Sequence, residues 1–273
     1  MPELAINVEL VAGILTQFIR DEVLKVGAKG VVVAVSGGID SAVSARLAVA
    51  ALGPEAVTGL ALPYRESAAS SLKDGQLVAA QLGIELLVFE ITAQIDAYFA
   101  RFPEADATRR GNKMARERMS ILYDISATKS ALVLGTSNKS ELLLGYSTLW
   151  GDGAHALNPL GDLYKTQLFQ LARHLELPRQ IIDKAPSADL FAGQSDEEDL
   201  GFSYLQADQI LFQLVDERRP PAELAERGLD PDLVATIWDM VRRSQFKRRP
   251  PLIAKLSGRS VGQDFRYPRD WGH

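Results

Sequence analysis

Cysteine is absent from all 273 residues. That absence excludes disulfides, thiolate zinc sites and thiolate nucleophiles. Histidine is scarce, occurring only as His155, His174 and His273. No H-E-x-x-H pair is present, so a histidine-rich metal centre cannot be built. No apolar run is long enough to span a bilayer. The opening residues, Met1-Pro2-Glu3-Leu4-Ala5, lack a basic segment followed by an apolar one, so no signal peptide is read and the cytoplasm is the expected compartment. An excess of basic charge is missing as well. Net charge is −5 and the pI about 5.4. A general nucleic-acid binder needs a positive surface to release counterions, so neither nucleic acid nor membrane is an expected partner.

What remains is an ordinary globular composition, 47% hydrophobic and 24% charged, in a chain long enough to bury a full core. Helical spacing runs over residues 4–28, with Val11, Ile14, Leu15, Phe18, Ile19 and Leu24 on the apolar positions. Strands are expected at 31–35, 57–62, 84–91 and 131–135. Helices are expected at 40–52, 67–82, 95–102, 111–129 and 138–145. Strands alternating with helices predict an α/β fold, a doubly wound parallel sheet with ligands at the carboxyl ends of its strands. Beyond residue 159 the pattern is helical, at 162–175, 179–184, 197–216 and 231–244. No repeat or low-complexity linker interrupts it. One domain over 1–273 is expected, with a core at about 30–190 and a helical C-terminal extension at about 191–273. Irregular connections at 103–111, 147–159 and 184–195 lie beside strand ends and are candidate active-site loops.

The chemistry starts at Ser36-Gly37-Gly38-Ile39-Asp40-Ser41, directly after the apolar run Val31-Val32-Val33-Ala34-Val35. A strand delivers a small-residue turn to a helix start. Backbone N–H groups there favour an anion, above all phosphate. Ser36 and Ser41 add hydroxyl donors. Asp40 would repel a phosphate unless Mg²⁺ sits between them. Neither G-x-x-x-x-G-K-[ST] nor a G-x-G-x-x-G after a strand occurs. The plainer alternative is a turn that needs glycine for geometry and serine for a cap.

A second strand end opens onto Leu134-Gly135-Thr136-Ser137-Asn138-Lys139-Ser140-Glu141. Glu141 should project at a height similar to Asp40, so that both could share one Mg²⁺. It could equally be a carboxylate favoured by a helix N-terminus. Arg116 and Arg118 cannot face the same way on a helix. One could meet an anionic ligand while the other pairs with a carboxylate, or both could lie on a solvated face. Tyr146, Trp150 and Tyr164 crowd a glycine-rich stretch and suit ring stacking. Asp162 is the expected N-cap of the helix carrying Lys165. Lys165 reads as a phosphate-binding charge or an exposed helix lysine. Ser195-Asp196-Glu197-Glu198 reads as a capping box.

The turn at 36–41 resembles the pyrophosphate-binding loop of the ATP pyrophosphatase superfamily, of adenine nucleotide alpha-hydrolase-like, Rossmann-like fold. The ordered set 36–41, 111–123, 132–145, 151–166, 186–190, 195–204 and Lys247-Arg248 is similar to the NAD synthetase family. That resemblance implies binding of ATP and deamido-NAD, adenylation of the nicotinate carboxylate with loss of pyrophosphate, and attack by ammonia. It implies ATP contacts at Ala34, Val35, Ser36, Gly37, Gly38, Ile39, Asp40, Ser41, Thr136, Lys165 and Ser187, and Mg²⁺ on Asp40 and Glu141. Deamido-NAD contacts are implied at Arg116, Leu149, Ala156, Phe246 and Lys247, which would set Lys247 over the dinucleotide pyrophosphate. The chemistry itself makes Asp40, Lys165 and Asp152 the expected catalytic groups, since a carboxylate such as Asp152 could hold ammonium or take its proton. The match departs where some members carry lysine and this chain has Leu149, and where some carry aspartate and this chain has Ala156.

The stretch Asn158-Pro159-Leu160-Gly161-Asp162-Leu163-Tyr164-Lys165 looks like the branch shared with glutamine-using enzymes. Those carry an amidohydrolase domain with a cysteine nucleophile. Here the pyrophosphatase-like region starts almost at the N-terminus, so free ammonia is the expected donor, with a separate glutaminase as a conceivable source. The family also implies a homodimer, with the long N-terminal helix supplying apolar area. Competing readings are another amide- or thiolation-forming ATP pyrophosphatase, GMP-synthetase-like or tRNA-modifying, and a non-catalytic nucleotide sensor on the same fold.

Overall fold

The computed structural model describes residues 4–187 and 194–265. Four parallel strands form the sheet: β1 (Val31–Ala34), β2 (Val57–Ala61), β3 (Glu85–Val88) and β4 (Leu132–Leu134), ordered β3-β2-β1-β4. Val31 of β1 registers with Val57 of β2 and with Leu132 of β4. The chain moves outward from β1 to β2 and β3, then returns to lay β4 on the other side of β1. This reversal opens a crevice between the carboxyl ends of β1 and β4, where such sheets bind ligands.

The helices are α1 (Val8–Lys25), α2 (Ile39–Leu52), α3 (Ala69–Leu82), α4 (Thr92–Phe99), α5 (Ala107–Lys129), α6 (Lys139–Leu144), α7 (Lys165–His174), α8 (Arg179–Ile182), α9 (Asp196–Leu200), α10 (Tyr204–Leu211), α11 (Pro221–Glu226) and α12 (Pro231–Arg243). Alternate residues of β1 serve opposite faces. Val31 and Val33 join Ile19 of α1, Leu47 of α2 and Leu168 of α7, while Val32 joins Ile95 of α4 and Met114 of α5. Both faces are covered, which is why the strand reads as an unbroken apolar run. A third core gathers Ile210, Leu224 and Ile237 of the C-terminal helices around Leu144 of α6 and Tyr164. The same short segments that carry candidate site residues therefore join the extension to the sheet.

The doubly wound α/β sheet with a helical extension is the observed architecture, but several boundaries differ. The strand expected at 84–91 is only Glu85–Val88, an edge strand. α5 begins at Ala107, because Asp106 accepts from the Arg109 N–H at 2.7 Å. Asp162 does not cap α7. It is exposed and pairs with Lys139 at 3.1 Å, and Tyr164 occupies the cap position. The helix expected over 197–216 is α9, α10 and a π-helical turn (Phe212–Asp216), interrupted at Gly201 with φ 79°. Ser195 makes no side-chain cap; the capping box in this region is Ser203 with Gln206. Helix α11 lies in a stretch without a helical expectation. Among the described residues, no helix is long and apolar enough to cross a membrane.

Candidate active site

β1 ends at Ala34, and the Val35 N–H still bonds Leu60 O at 2.8 Å. The chain then turns sharply and enters α2 at Ile39, with Gly38 at the cap position. Gly37 has φ 79°, and a Cβ there would lie 2.4 Å from the Ser71 carbonyl oxygen. Backbone strain and the close approach of α3 both demand glycine. The serines brace the turn. Ser41 Oγ donates to Gly38 O at 2.9 Å and accepts from Ser36 N at 3.3 Å, and Gly38 N donates to Ser36 Oγ at 3.3 Å. Ser41 thus turns its proton onto the turn itself, while Ser36 Oγ accepts from Gly38 N and lies 3.2 Å from Ser41 Oγ. The N-terminal amides of α2 remain as the anion-facing group.

Across the crevice, β4 leads to α6, opened by a reciprocal capping box. Glu141 N donates to Asn138 Oδ1 at 3.0 Å and Asn138 N to Glu141 Oε2 at 3.2 Å. Asn138 Nδ2 also donates to Asp40 Oδ1 at 2.8 Å. Lys165, at the first position of α7, places its Nζ 2.6 Å from Asp40 Oδ2 and 3.3 Å from Glu141 Oε1. Its side chain is only 2% exposed, so the exposed-lysine alternative fails. Glu141 thus closes the capping box of α6 and shares the Lys165 ammonium with Asp40.

Burial, then the nearby Asp40 charge, pushes the Glu141 carboxyl up to about 8 against the opposing pull of Lys165. Burial alone would lower the Lys165 pKa, but Asp40 and Glu141 outweigh it and hold the ammonium charged. Two carboxyl groups thus share one ammonium in a buried site, and the raised Glu141 pKa leaves a proton there for an entering cation to displace. Among the described residues, no group of three or more histidines and carboxylates is arranged to ligate a metal. Two carboxylates completed by substrate phosphates suit Mg²⁺, which rarely takes an all-protein cage.

Sequence reasoning missed the floor of this site. The Tyr204 ring lies 5.1 Å from Lys165 Nζ, and its hydroxyl donates to buried Asp196 at 3.3 Å. Burial, with Glu141 and Asp196 adding to it, raises the Tyr204 pKa and keeps it a donor. Asn138 was foreseeable as an N-cap with Glu141 three residues on. Tyr204 and Asp196 fall within the matched stretch 195–204, but no local pattern there marks them as site residues.

A second cluster gathers beyond the far end of α6, which at six residues is about 9 Å long. Exposed Arg116 donates from Nε to Leu149 O at 3.2 Å. Arg118 turns away and donates to Leu62 O at 2.9 Å. Thr148 Oγ1 donates to Asn112 Oδ1 at 2.8 Å, and Thr148 N to Asp152 Oδ1 at 2.8 Å. Asp152 is exposed, yet crowding by surrounding protein raises its carboxyl pKa, against the Thr148 amide, Lys247 and Arg118.

Lys247 Nζ donates to Gly145 O at 2.7 Å and Ser147 O at 2.6 Å. Its ammonium thus clamps this loop. Phe246 beside it is exposed. Ala156 bonds Val133 O through its N–H at 2.9 Å and packs against the main core. The three loop aromatics do not form one platform. Tyr164 is buried in the C-terminal core and donates to Asp216, Tyr146 donates to Asp199 at 2.9 Å, and Trp150 is exposed. Thr136 is half-buried two residues past β4. Ser187 is exposed, and the rest of the matched stretch 186–190, from 188 on, lies outside the described residues.

The NAD synthase family model matches residues 11–251. An NH(3)-dependent NAD(+) synthetase of Trichlorobacter lovleyi is 54% identical over 272 residues, covering 100% of each chain. Two solved structures are similar at a TM-score of 0.80. One is an NH3-dependent NAD synthetase from Campylobacter jejuni, 37% identical, covering 92% of this chain and 100% of that one. The other is an NMN synthetase from Francisella tularensis, 33% identical, covering 92% and 99%.

Proposed function

Because the chain belongs to the NAD synthase family, we propose that it amidates deamido-NAD with ammonia at the expense of ATP, yielding NAD⁺, AMP and pyrophosphate. The observation that carries this reading is the Asp40–Lys165–Glu141 cluster, which takes one carboxylate from beyond each of two neighbouring strands. In this reading Asp40 and Glu141 would hold Mg²⁺, which would supply charge neutralisation as pyrophosphate departs.

The chain's own groups do the rest. The first amides of α2, at Ile39, Asp40 and Ser41, and the Lys165 ammonium bind the β- and γ-phosphates and stabilise the leaving charge. A nicotinate carboxylate oxygen attacks the α-phosphorus, and the bond to pyrophosphate breaks. Ammonia then attacks the acyl carbon, the bond to AMP breaks, and one proton is lost. Asp152 is the candidate acceptor, since its raised pKa makes it a better base than an ordinary aspartate. Arg116, Leu149, Ala156, Phe246 and Lys247 are assigned to the dinucleotide. Thr136 and Ser187 are assigned to ATP. Lys247 must release the Gly145 and Ser147 carbonyls if it is to touch ligand.

The chain has no cysteine, so it offers no thiolate to attack a glutamine amide. Ammonia is accordingly the direct nitrogen donor, and a separate glutaminase could supply it. The functional unit is proposed to be a two-fold dimer built on α1.

The test is purified protein with ATP, Mg²⁺, deamido-NAD and ammonium. NAD⁺ should form with equimolar pyrophosphate. Nicotinic acid mononucleotide, xanthosine monophosphate, or ammonia-free glutamine in place of ammonium should each support little or no turnover. Preference for the mononucleotide would move the assignment to NMN synthesis. Robust turnover on glutamine would overturn the nitrogen assignment.

A further inference from the structure

One buried carboxylate lies outside the reaction described above. Asp208 of α10 is 0% exposed. Its Oδ1 accepts the Ser140 hydroxyl, and its Oδ2 accepts the Thr166 N–H and the Thr166 hydroxyl, each at 2.8 Å. Ser140 Oγ in turn accepts the Lys165 N–H at 2.9 Å. No ion pair to Asp208 occurs among the described residues, so its charge is met by hydroxyls and by the start of α7. The first amides of a helix have no partner within it. In α7 the cap residue is Tyr164, and the amides of Lys165 and Thr166 are instead satisfied by Ser140 and Asp208.

The placement is specific. Ser140 immediately precedes Glu141 on α6, and Thr166 immediately follows Lys165 on α7. One carboxylate from the C-terminal extension therefore ties together the two helices that present the glutamate and the lysine. It does so one residue from each. A buried charge costs stability unless its environment satisfies it fully, so an apolar residue would be the simpler way to fill this space. What an apolar residue cannot do is fix two helix starts against each other.

We propose that Asp208 is a positioning residue for the ATP reaction, setting Glu141 and Lys165 at the separation that captures Mg²⁺ and ATP phosphates. The proposal rests on the ATP-dependent reading above. Displacement of such groups by about 1 Å is enough to cost roughly a hundredfold in rate.

The experiment compares wild type with Asp208→Asn, Ser140→Ala, Thr166→Val and Thr166→Ser. Calorimetry measures binding of a non-hydrolysable ATP analogue with Mg²⁺. Kinetics give kcat, the half-maximal Mg²⁺ concentration and KM for deamido-NAD, and thermal melts report folding. Asp208→Asn should weaken analogue binding by about tenfold or more and raise the Mg²⁺ requirement alongside, with KM for deamido-NAD within about twofold. Thr166→Ser, which keeps the hydroxyl, should restore what Thr166→Val loses. A folded Asp208→Asn with wild-type analogue affinity and Mg²⁺ response overturns the proposal. So does a uniform loss that merely tracks the folded fraction. If Asp208→Asn does not fold, Ser140→Ala and the Thr166 pair decide on the same readouts, and unchanged affinity in both overturns it. A wild type that makes no NAD⁺ would defeat the functional reading, while analogue binding would still judge Asp208.

Discussion

Lys165 is the residue on which the polar centre depends. Its ammonium separates Asp40 from Glu141, and in a buried site two bare carboxylates repel strongly. Lys165→Met should lower pyrophosphate release by roughly a hundredfold or more, because it removes a preorganised charge at the leaving group. Asp40→Asn and Glu141→Gln should each cripple release while melting close to wild type. Near-normal turnover in either would remove the metal assignment. His155 gives a separate prediction. Its Nδ1 is buried without a partner among the described residues, its ring lies against Gly135, and burial lowers its pKa from 6.5. Below pH 6.5 the unfolded chain binds this proton and the folded chain resists it. Stability is therefore complete above pH 6.5 and declines as pH falls toward the folded pKa. Urea midpoints at pH 5.5 and 7.5 should differ less in His155→Gln than in wild type. At this scale the sequence exposed Asp40, Glu141 and Lys165, because small residues after an apolar run and a carboxylate at a helix start are local signals. Asp208 was hidden, since its partners Ser140 and Thr166 lie 68 and 42 positions away, and Asp196 and Tyr204 were hidden because only the tertiary fold sets the Tyr204 ring against Lys165.

Arg248 shows how an element is held. Its guanidinium donates to Leu142 O at 2.8 Å and Leu143 O at 2.9 Å, the last carbonyls of α6, and to Val241 O of α12 at 2.5 Å. One planar fork thus closes two helix ends that have no further intrahelical partner. Arg248→Met keeps much of the side-chain volume and removes every guanidinium donor, leaving only the Ser244 hydroxyl for Leu143 O and Val241 O. It should destabilise the fold by about 1–3 kcal/mol in denaturant titration. Because α6 carries Glu141 at one end and abuts the Lys247 clamp at the other, activity should fall further than the melt alone explains. Unchanged stability would show that water replaces the guanidinium at these carbonyls. The strands were legible as short apolar runs between turn residues, and the larger helices because apolar spacing near four repeats over many residues. The basic run at 247–249 was not. A sequence cannot distinguish a solvated arginine from one whose donors are turned onto carbonyls about a hundred residues earlier. The break of 197–216 into separate helices was likewise obscured, because apolar spacing continues across the left-handed Gly201.

Across the whole molecule, α1 carries two apolar faces. Ile19 and Val23 are buried against the sheet layer, whereas Leu10, Ile14 and Phe18 remain 59%, 56% and 36% exposed. These three lie four residues apart, so they form one stripe along the helix. With Glu9, Gly13, Gln17 and Asp21 they line a shallow hollow of about 570 Å³. An apolar stripe rimmed by polar residues marks an interaction surface, and a two-fold axis lets one such stripe cover its own copy. The carboxylates on the rim also disfavour flat or shifted stacking, which would bring like charges together. The protein should therefore scatter light as a dimer, at twice the 29.8 kDa chain mass. Ile14→Glu puts a charge in the middle of the stripe and should yield a monomer with its sheet intact by circular dichroism. If the active sites border the interface, that monomer should also lose turnover. Wild type that scatters as a monomer at full activity would refute the shared-site arrangement. A monomeric Ile14→Glu with undiminished turnover would leave the dimer as a stability device only.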